Sequence, residues 1–136
     1  MLQSNATLET IKKSLVKKVL GELKKLRVKN PEGYAKFFEN YGAILKEGVY
    51  YEHDLKEEIA QVLEFRTRDS EKKVSLDEYL EKMQGEEKTI YYVNGKSVGE
   101  VLASPYMAQF IENNVDVLLL TDVIDEWMIG VLDEYK

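Results

Sequence analysis

The sequence predicts an α/β protein in which a helical arm leads into a small three-layer α/β/α unit with a short, mainly parallel sheet. Helical spacing of apolar residues dominates the first part of the chain. Two short apolar runs, Thr89–Val93 and Val115–Leu120, come later and enclose a helical stretch. Because a helix between two strands is the crossover of a βαβ unit, we expect these strands to pair in parallel. We therefore divide the chain into a helical arm, residues 1–48, and an α/β unit, residues 49–136.

The arm is predicted to contain two helices. In the first, apolar residues recur every three or four positions, with lysines on the other faces. They form a stripe that we expect to face a core: Leu8, Ile11, Leu15, Val19 and Leu23. Asn30 and Pro31 have the residue types of an N-cap and a first helical residue, so the second helix begins there. It is expected to end near Gly42, which leaves residues 48–51 in a connection.

Short capped helices are predicted in the α/β unit. Two segments have the spacing of a capping box: Asp54 with Glu57, and Ser75 with Glu78. A charged loop, residues 66–73, separates the two helices, and the second is expected to end near Gly85. Asn113 and Asn114 close the helical stretch between the strands, since asparagine tolerates the left-handed conformation that a helix end often needs. Thr121 or Asp122 caps a final helix.

Composition and charge narrow the classes of function. The chain has no cysteine, which excludes disulfides, thiolate nucleophiles and cysteine-ligated zinc and favours a reducing, intracellular compartment. Residues 1–48 contain 10 Lys/Arg and 5 Asp/Glu, whereas residues 49–136 contain 9 Lys/Arg and 20 Asp/Glu. The arm is therefore basic although the whole chain has a net charge of -6. Such acidity disfavours nucleic acid as a partner. No apolar run approaches the roughly 20 residues of a membrane span, and no signal peptide is visible.

Few residues suggest catalysis. Gly95–Ser97 resembles the end of a phosphate-binding loop, but that motif requires glycine where the chain has Ile90. His53 is the only histidine, so a histidine metal cluster and a Ser-His-Asp triad are excluded. Asp122 and Asp125 stand at a helix start, where capping is favoured over acid/base chemistry. Taken alone, these residues specify no enzyme.

Trp127 is the only tryptophan, and two interpretations of it are open. It lies next to Glu126 in the first turns of the last helix. Either the indole packs in the core, or it is an exposed anchor, since tryptophan is enriched among residues that dominate binding surfaces. The exposed fraction of its side chain discriminates between the two.

Several motifs together have the order of a known family. They are Leu2-Gln3, Lys17–Leu20, Lys46–Gly48, Val74–Tyr79 with Met83, Lys88–Gly95, Ser104-Pro105, Val115–Leu120 and Ile124–Trp127. In sequence and spacing they resemble the middle region of the heat-shock protein 90 chaperones, over essentially the whole chain. The Asp-Glu-Trp version at residues 125–127 favours the bacterial branch. Two departures are Asn114, where glycine is usual, and Gly130, where a polar residue is common.

The resemblance implies one part of an ATP-driven machine. In the family, an amino-terminal domain binds ATP and Mg, and a middle-region loop supplies an arginine that reaches the terminal phosphate. That loop ends in Leu-Gln, which Leu2 and Gln3 match, so Gln3 is the one catalytic-loop residue implied here and the arginine would precede Met1. We therefore expect no enzyme activity from this chain on its own.

The resemblance also implies domains, partners and location. Residues 1–48 correspond to the helical coil of the middle domain and residues 49–136 to its small α/β subdomain. The partners are non-native client proteins and co-chaperones in the cytoplasm, without nucleic acid or membrane, and the full-length protein is a homodimer through a domain absent here. In bacterial members the surface around the Glu-Trp pair holds non-native proteins, which makes Glu126 and Trp127 the client-binding candidates.

Three hypotheses follow for the function. The first is a module that relays nucleotide-driven motion and offers part of a client-binding surface. The alternative is a non-chaperone protein-interaction module whose basic helix docks on an acidic partner or a membrane. The third is a free-standing enzyme that uses carboxylates, which requires a concave site with a carboxyl group of raised pKa.

Overall fold

Two long helices, α1 (Leu2–Lys29) and α2 (Pro31–Tyr51), form the predicted arm. The computed structural model describes residues 2–83, 88–132 and 134–135, with side chains in α1 from residue 6 onward. A 3₁₀ turn (His53–Leu55) leads into the α/β unit. The further elements are α3 (Lys56–Ala60), β1 (Arg66–Thr67), α4 (Leu76–Glu81), β2 (Tyr92–Asn94), α5 (Val98–Leu102), α6 (Met107–Glu112), β3 (Leu118–Leu120) and α7 (Val123–Val131).

The second helix begins where the sequence predicts and ends later. The Asn30 side chain accepts a hydrogen bond from the Gly33 N–H at 3.1 Å, which confirms the cap. The helix continues through Gly42 to Tyr51, and its last turns pack through the buried Lys46 and Val49. A Cβ at Gly42 would lie 2.8 Å from the buried Phe38 ring, so the glycine serves packing and not a helix end. The prediction that residues 48–51 form a connection is therefore wrong. The predicted boundary after residue 48 falls inside α2.

The first helix packs through a different face from the predicted one. Val16, Leu20 and Leu23 contact the core of the chain. Four residues of the predicted stripe are instead 50% to 60% exposed: Leu8, Ile11, Leu15 and Val19. The expectation that the stripe faces a core is wrong for these four. Apolar residues cover a wide arc of α1, and α2 and α3 contact only one side of it.

The sheet has three strands in the order β1-β3-β2. The central strand β3 pairs in parallel with β2, Val93 opposite Leu119, which confirms the predicted βαβ pairing. The edge strand β1 pairs antiparallel to β3, with Thr67 opposite Leu118. This strand lies in the segment predicted as a charged loop. The sequence did not predict it, because two residues are too few to show an alternating pattern.

Alternating residues of β3 point to opposite faces of the sheet and define the three layers. Leu118 and Leu120 belong to the larger core, together with Met128 of α7. Leu119 belongs to a second cluster with Val101 of α5 and Met107 of α6. Helices therefore cover both faces, and the three-layer arrangement is confirmed.

One predicted capping box forms and the other does not. The Ser75 hydroxyl accepts from the Glu78 N–H at 3.1 Å, and the Glu78 carboxylate accepts from the Ser75 N–H at 2.9 Å. Asp54 instead pairs with Lys13 of α1 at 2.6 Å, and α3 begins two residues later. The electrostatic contact between arm and unit thus replaces the expected cap.

The ends of the connecting segments are partly as predicted. The α4 helix ends at Glu81, and the predicted end near Gly85 lies outside the described residues. Asn114 has φ 53°, the left-handed conformation expected for the Asn113-Asn114 pair, whereas Asn113 has φ −92°. Among the described residues, no helix combines the length and the apolar character that crossing a bilayer requires.

Candidate functional site

Three aromatic rings form a row on the surface between α2 and α7. The Trp127 and Tyr50 ring centroids are 5.5 Å apart with planes at 89°, and those of Tyr50 and Tyr51 are 4.9 Å apart at 83°. The Trp127 side chain is 55% exposed and Tyr51 is 74% exposed. Trp127 is therefore an exposed residue held by an edge-to-face contact, and the core-packing interpretation is wrong.

Helical periodicity explains why Trp127 faces solvent. Met128 and Asp125, on the inner side of α7, are buried. Glu126 and Val123 lie with Trp127 on the outer side, and all three are exposed. The final helix thus divides into an inner face that completes the core and an outer face available for contact.

A buried ion pair fixes α7 against α2 beneath this outer face. Lys46 Nζ lies 2.9 Å from Asp122 Oδ2 and 2.8 Å from Asp125 Oδ1. The second contact is an ion pair without an aligned hydrogen bond, since Asp125 Oδ1 accepts none among the described groups. The other Asp125 oxygen accepts the Asp122 N–H at 3.0 Å, so these acids cap the helix as predicted.

The two helices run in the same direction where they meet. Lys46 contacts the start of α7, and Tyr50, one turn later, contacts Trp127 within it. Because both rings stand on helices joined by buried charges, their relative position is set by the fold rather than by a loop. The row of rings is consequently a preorganised surface.

The charge beside the rings is negative. Glu47, on the turn of α2 that carries the tyrosines, and Glu126, beside Trp127, are both exposed. Neither has an ion-pair partner among the residues that the structure describes. The nearby cation Lys46 is buried and already paired with two aspartates. The surface therefore combines apolar rings with available carboxylates.

The other candidate residues have structural roles or fall outside this surface. Ser97 accepts from the Glu100 N–H at 3.1 Å, and Lys96 donates its N–H to the Glu100 carboxylate at 3.1 Å, so this segment caps α5. His53 lies in the 3₁₀ turn. The Gln3 side chain lies outside the described part of the structure, and within that part no group of residues has the makings of a metal site.

Sequence reasoning missed Tyr50 and Tyr51 as neighbours of Trp127. It located Trp127 and Glu126, but it placed the tyrosines in a connection. The four-residue step from Lys46 to Tyr50 was the available signal, since such a step puts both residues on one helix face. That signal has meaning only once α2 is known to continue through Gly48.

A second electrostatic cluster joins the end of α1 to the α/β unit. Arg27 Nε lies 3.0 Å from the buried Glu64 carboxylate, and the Arg27 guanidinium also contacts Glu78. Burial raises the pKa of Glu64 although Arg27 opposes the shift. Burial also acts to raise the pKa of Glu78, but hydrogen bonds from Ser75 and Arg27 outweigh it, and the pKa is lowered.

An apolar groove lies beside the exposed stripe of α1. It has a volume of about 240 Å³ and lies between α1 and the middle of α2. Leu15 and Val19 line it from α1, and the exposed Ile44 lines it from α2. The arm thus presents a second surface, apolar and flanked by lysines, that is separate from the row of rings.

Comparison with known proteins defines the class of this chain. A family model described as Hsp90 protein matches residues 1–136. The chain therefore belongs to the Hsp90 family of molecular chaperones. It is 42% identical to the chaperone protein HtpG of Buchnera aphidicola over all of its own length, and 41% identical to HtpG of Helicobacter acinonychis over 99% of it.

A solved structure places the chain within the family's architecture. The middle domain of a Plasmodium falciparum heat shock protein matches 94% of this chain with a TM-score of 0.85 and 33% identity. The match covers 54% of that middle domain, and the chain spans 22% of the length of the HtpG relatives. The chain corresponds to part of an Hsp90 middle domain, with the helical arm and small α/β unit that the sequence predicts.

Proposed function

We propose that this chain offers a binding surface for non-native client proteins within an Hsp90 chaperone, centred on Trp127 and Glu126. The observation that carries the proposal is the exposure of Trp127 on the outer face of a helix locked by buried charges. A half-exposed indole still has apolar area in water, and a bound client would cover that area. Individual contacts of this kind are weak, which suits a chaperone that must release its substrate.

We further propose that the arm relays nucleotide-driven motion to this surface. Ion pairs along α1 connect it to the segment after α2: Lys12 with Glu52, and Lys13 with Asp54. Arg27 connects its far end to α4. The exposed stripe of α1 would rest on an upstream α/β layer in the longer protein, so a movement of that layer would be carried along a helix held in its middle by Lys12 and Lys13 and near its end by Arg27.

The remaining properties of the longer protein are expectations from its family. ATP and Mg would bind in another domain, the homodimer would form through a carboxy-terminal domain, and Gln3 would belong to the catalytic loop. The partners would be clients and co-chaperones in the cytoplasm, and this chain alone would not hydrolyse ATP. An ATPase assay on the 136-residue chain tests the last point; turnover of ATP would contradict it.

Replacement of Trp127 tests the client-binding proposal directly. Trp127→Ala should weaken binding of a chemically unfolded client polypeptide while changing the free energy of unfolding by less than about 1 kcal/mol, because the indole is already half in water. Truncation of a core tryptophan lowers the free energy of unfolding by about 3–5 kcal/mol. A loss of that size would show that Trp127 mainly packs in the core, which would contradict the proposal.

A matched control distinguishes binding at this surface from nonspecific binding to any exposed aromatic ring. Tyr106 precedes α6 and is 72% exposed, so Tyr106→Ala removes a comparable exposed ring elsewhere. We expect Tyr106→Ala to bind the client like the native chain. Equal loss of binding in the two variants would contradict a site at Trp127.

A further inference from the structure

We propose that the client surface extends from α7 onto α2, where Tyr50, Tyr51 and Glu47 select client segments that carry arginine or lysine among apolar residues. This inference rests on the proposed function, because it names the substrate class of the same surface. The row of rings supplies the first reason. Tyr50 lies between the other two rings, with centroid distances of 4.9 Å and 5.5 Å, so the three rings form one continuous aromatic area.

The edge-to-face geometry makes Tyr50 a positioning residue. Its ring plane stands at 89° to that of Trp127 and at 83° to that of Tyr51. It is partly buried, whereas its two neighbours are exposed. Contact with Tyr50 restricts the rotamers of both outer rings, which lowers the entropy lost when a ligand binds them.

Charge defines the class of ligand. Both helices carry an exposed glutamate close in sequence to the rings: Glu47 is one turn before the tyrosines of α2, and Glu126 is next to Trp127 in α7. Aromatic faces attract cations, most strongly the planar guanidinium of arginine, and neighbouring carboxylates add to that attraction. Residues 49–136 contain 20 Asp/Glu and 9 Lys/Arg, so the wider surroundings also favour a basic segment over an acidic one.

The outer face of α7 also offers aliphatic surface for apolar side chains of the ligand. Val123 is 81% exposed and lies four residues before Trp127, on the same face of α7. Gly130 lies three residues after Trp127 and leaves that helical turn without a side chain. An extended segment with alternating basic and apolar residues would therefore contact rings, carboxylates and aliphatic surface together.

Peptide binding to the full 136-residue chain tests the inference. The probe is a fluorescein-labelled, tryptophan-free peptide of alternating arginine and leucine, and its comparison peptides carry glutamine or glutamate in place of arginine. We expect the arginine peptide to bind at least about fivefold more tightly than the glutamate peptide, with the difference shrinking as salt is added. Equal affinity for all three peptides would overturn the proposed selectivity.

Variants on α2 assign the site. Tyr51→Ala should lower the affinity for the arginine peptide by about two- to fivefold, the range of an exposed cation–π contact. Tyr50→Phe keeps the ring and should bind normally, whereas Tyr50→Ala should weaken binding as Tyr51→Ala does. Glu47→Gln should lower the affinity for the arginine peptide and leave the affinity for the glutamine peptide unchanged. Circular dichroism of each variant shows whether it is folded, and Tyr51 is exposed enough for its truncation to leave the core intact.

Trp127→Ala distinguishes failure of this inference from failure of the proposed function. If it weakens binding while Tyr51→Ala and Glu47→Gln bind the arginine peptide like the native chain, the extension onto α2 is wrong and the Trp127 surface stands. If Trp127→Ala also binds like the native chain, both proposals are wrong.

Discussion

Lys46 of α2 and Asp125 of α7 form an ion pair at 2.8 Å in the interior of the protein, with side chains that are 7% and 1% exposed. The pair joins the two helices that carry the aromatic row. Removing Lys46 leaves the buried Asp125 carboxylate without its cation, and a loss of this kind typically costs about 3–5 kcal/mol. The position of the rings therefore depends on charges that lie beneath them.

Lys46→Met tests this dependence. We expect the free energy of unfolding to fall by about 3 kcal/mol, because Asp125 then stays buried without its cation. The measurement is urea denaturation of the native chain, the two single variants Lys46→Met and Asp125→Asn, and the double variant. The double variant should lose less than the sum of the single losses; strict additivity would contradict a coupled pair.

Two glycines in the arm should respond to alanine in opposite directions. A Cβ at Gly21, in the middle of α1, would meet no atom within 4 Å, so Gly21→Ala should stabilise by about 0.5–1 kcal/mol through helix propensity. Gly42→Ala should destabilise, because its Cβ would lie 2.8 Å from the buried Phe38 ring. Urea denaturation measures both, and stabilisation by Gly42→Ala would contradict the packing described for α2.

The two carboxylates on Arg27 should respond to pH in opposite ways. Burial raises the pKa of Glu64 above its ordinary 4.5, so its contribution to stability is full below that value and is lost as pH rises through the raised pKa. Ser75 and Arg27 hold the pKa of Glu78 below its ordinary value. Glu78 therefore contributes to stability at pH values above its ordinary pKa, and this contribution is lost as pH falls through the lowered pKa.

Glutamine variants measure these two contributions. The stability of Glu64→Gln relative to the native chain should improve between acid and neutral pH, because glutamine does not ionise. The stability of Glu78→Gln relative to the native chain should worsen over the same range. Unfolding free energies from urea titrations at several pH values test both signs, and a relative stability of Glu64→Gln that worsens toward neutral pH would contradict the burial effect.

The sequence predicted the elements well where local chemistry decides them. The Asn30 cap and the Ser75–Glu78 capping box were predictable because each depends on residues close in the chain. The parallel pairing of β2 with β3 was predictable because two short strand-like runs enclose a helical stretch. Trp127 and Glu126 were identified as candidates from residue type and from the family resemblance.

The errors arose where tertiary contacts decide. The last turns of α2, past Gly42, are held by tertiary contacts of Lys46 with α7 and of Val49 with the core, and no local pattern shows those contacts. The exposed side of α1 depends on which elements pack against it, so periodicity alone could not choose between adjacent apolar faces. The neighbouring position of Tyr50 and Trp127 required both helices in space, and for that reason the α2 half of the surface was missed.

Intrinsic fluorescence of Trp127 is the most direct test of the client surface, because the chain contains a single tryptophan. The protein is titrated with an unfolded, tryptophan-free polypeptide, and binding is followed in parallel by light scattering or polarisation. If Trp127 contacts the client, the emission shifts to shorter wavelength and saturates with the binding curve, since the half-exposed indole becomes covered. Binding that saturates while the emission spectrum stays unchanged would contradict a client site at Trp127.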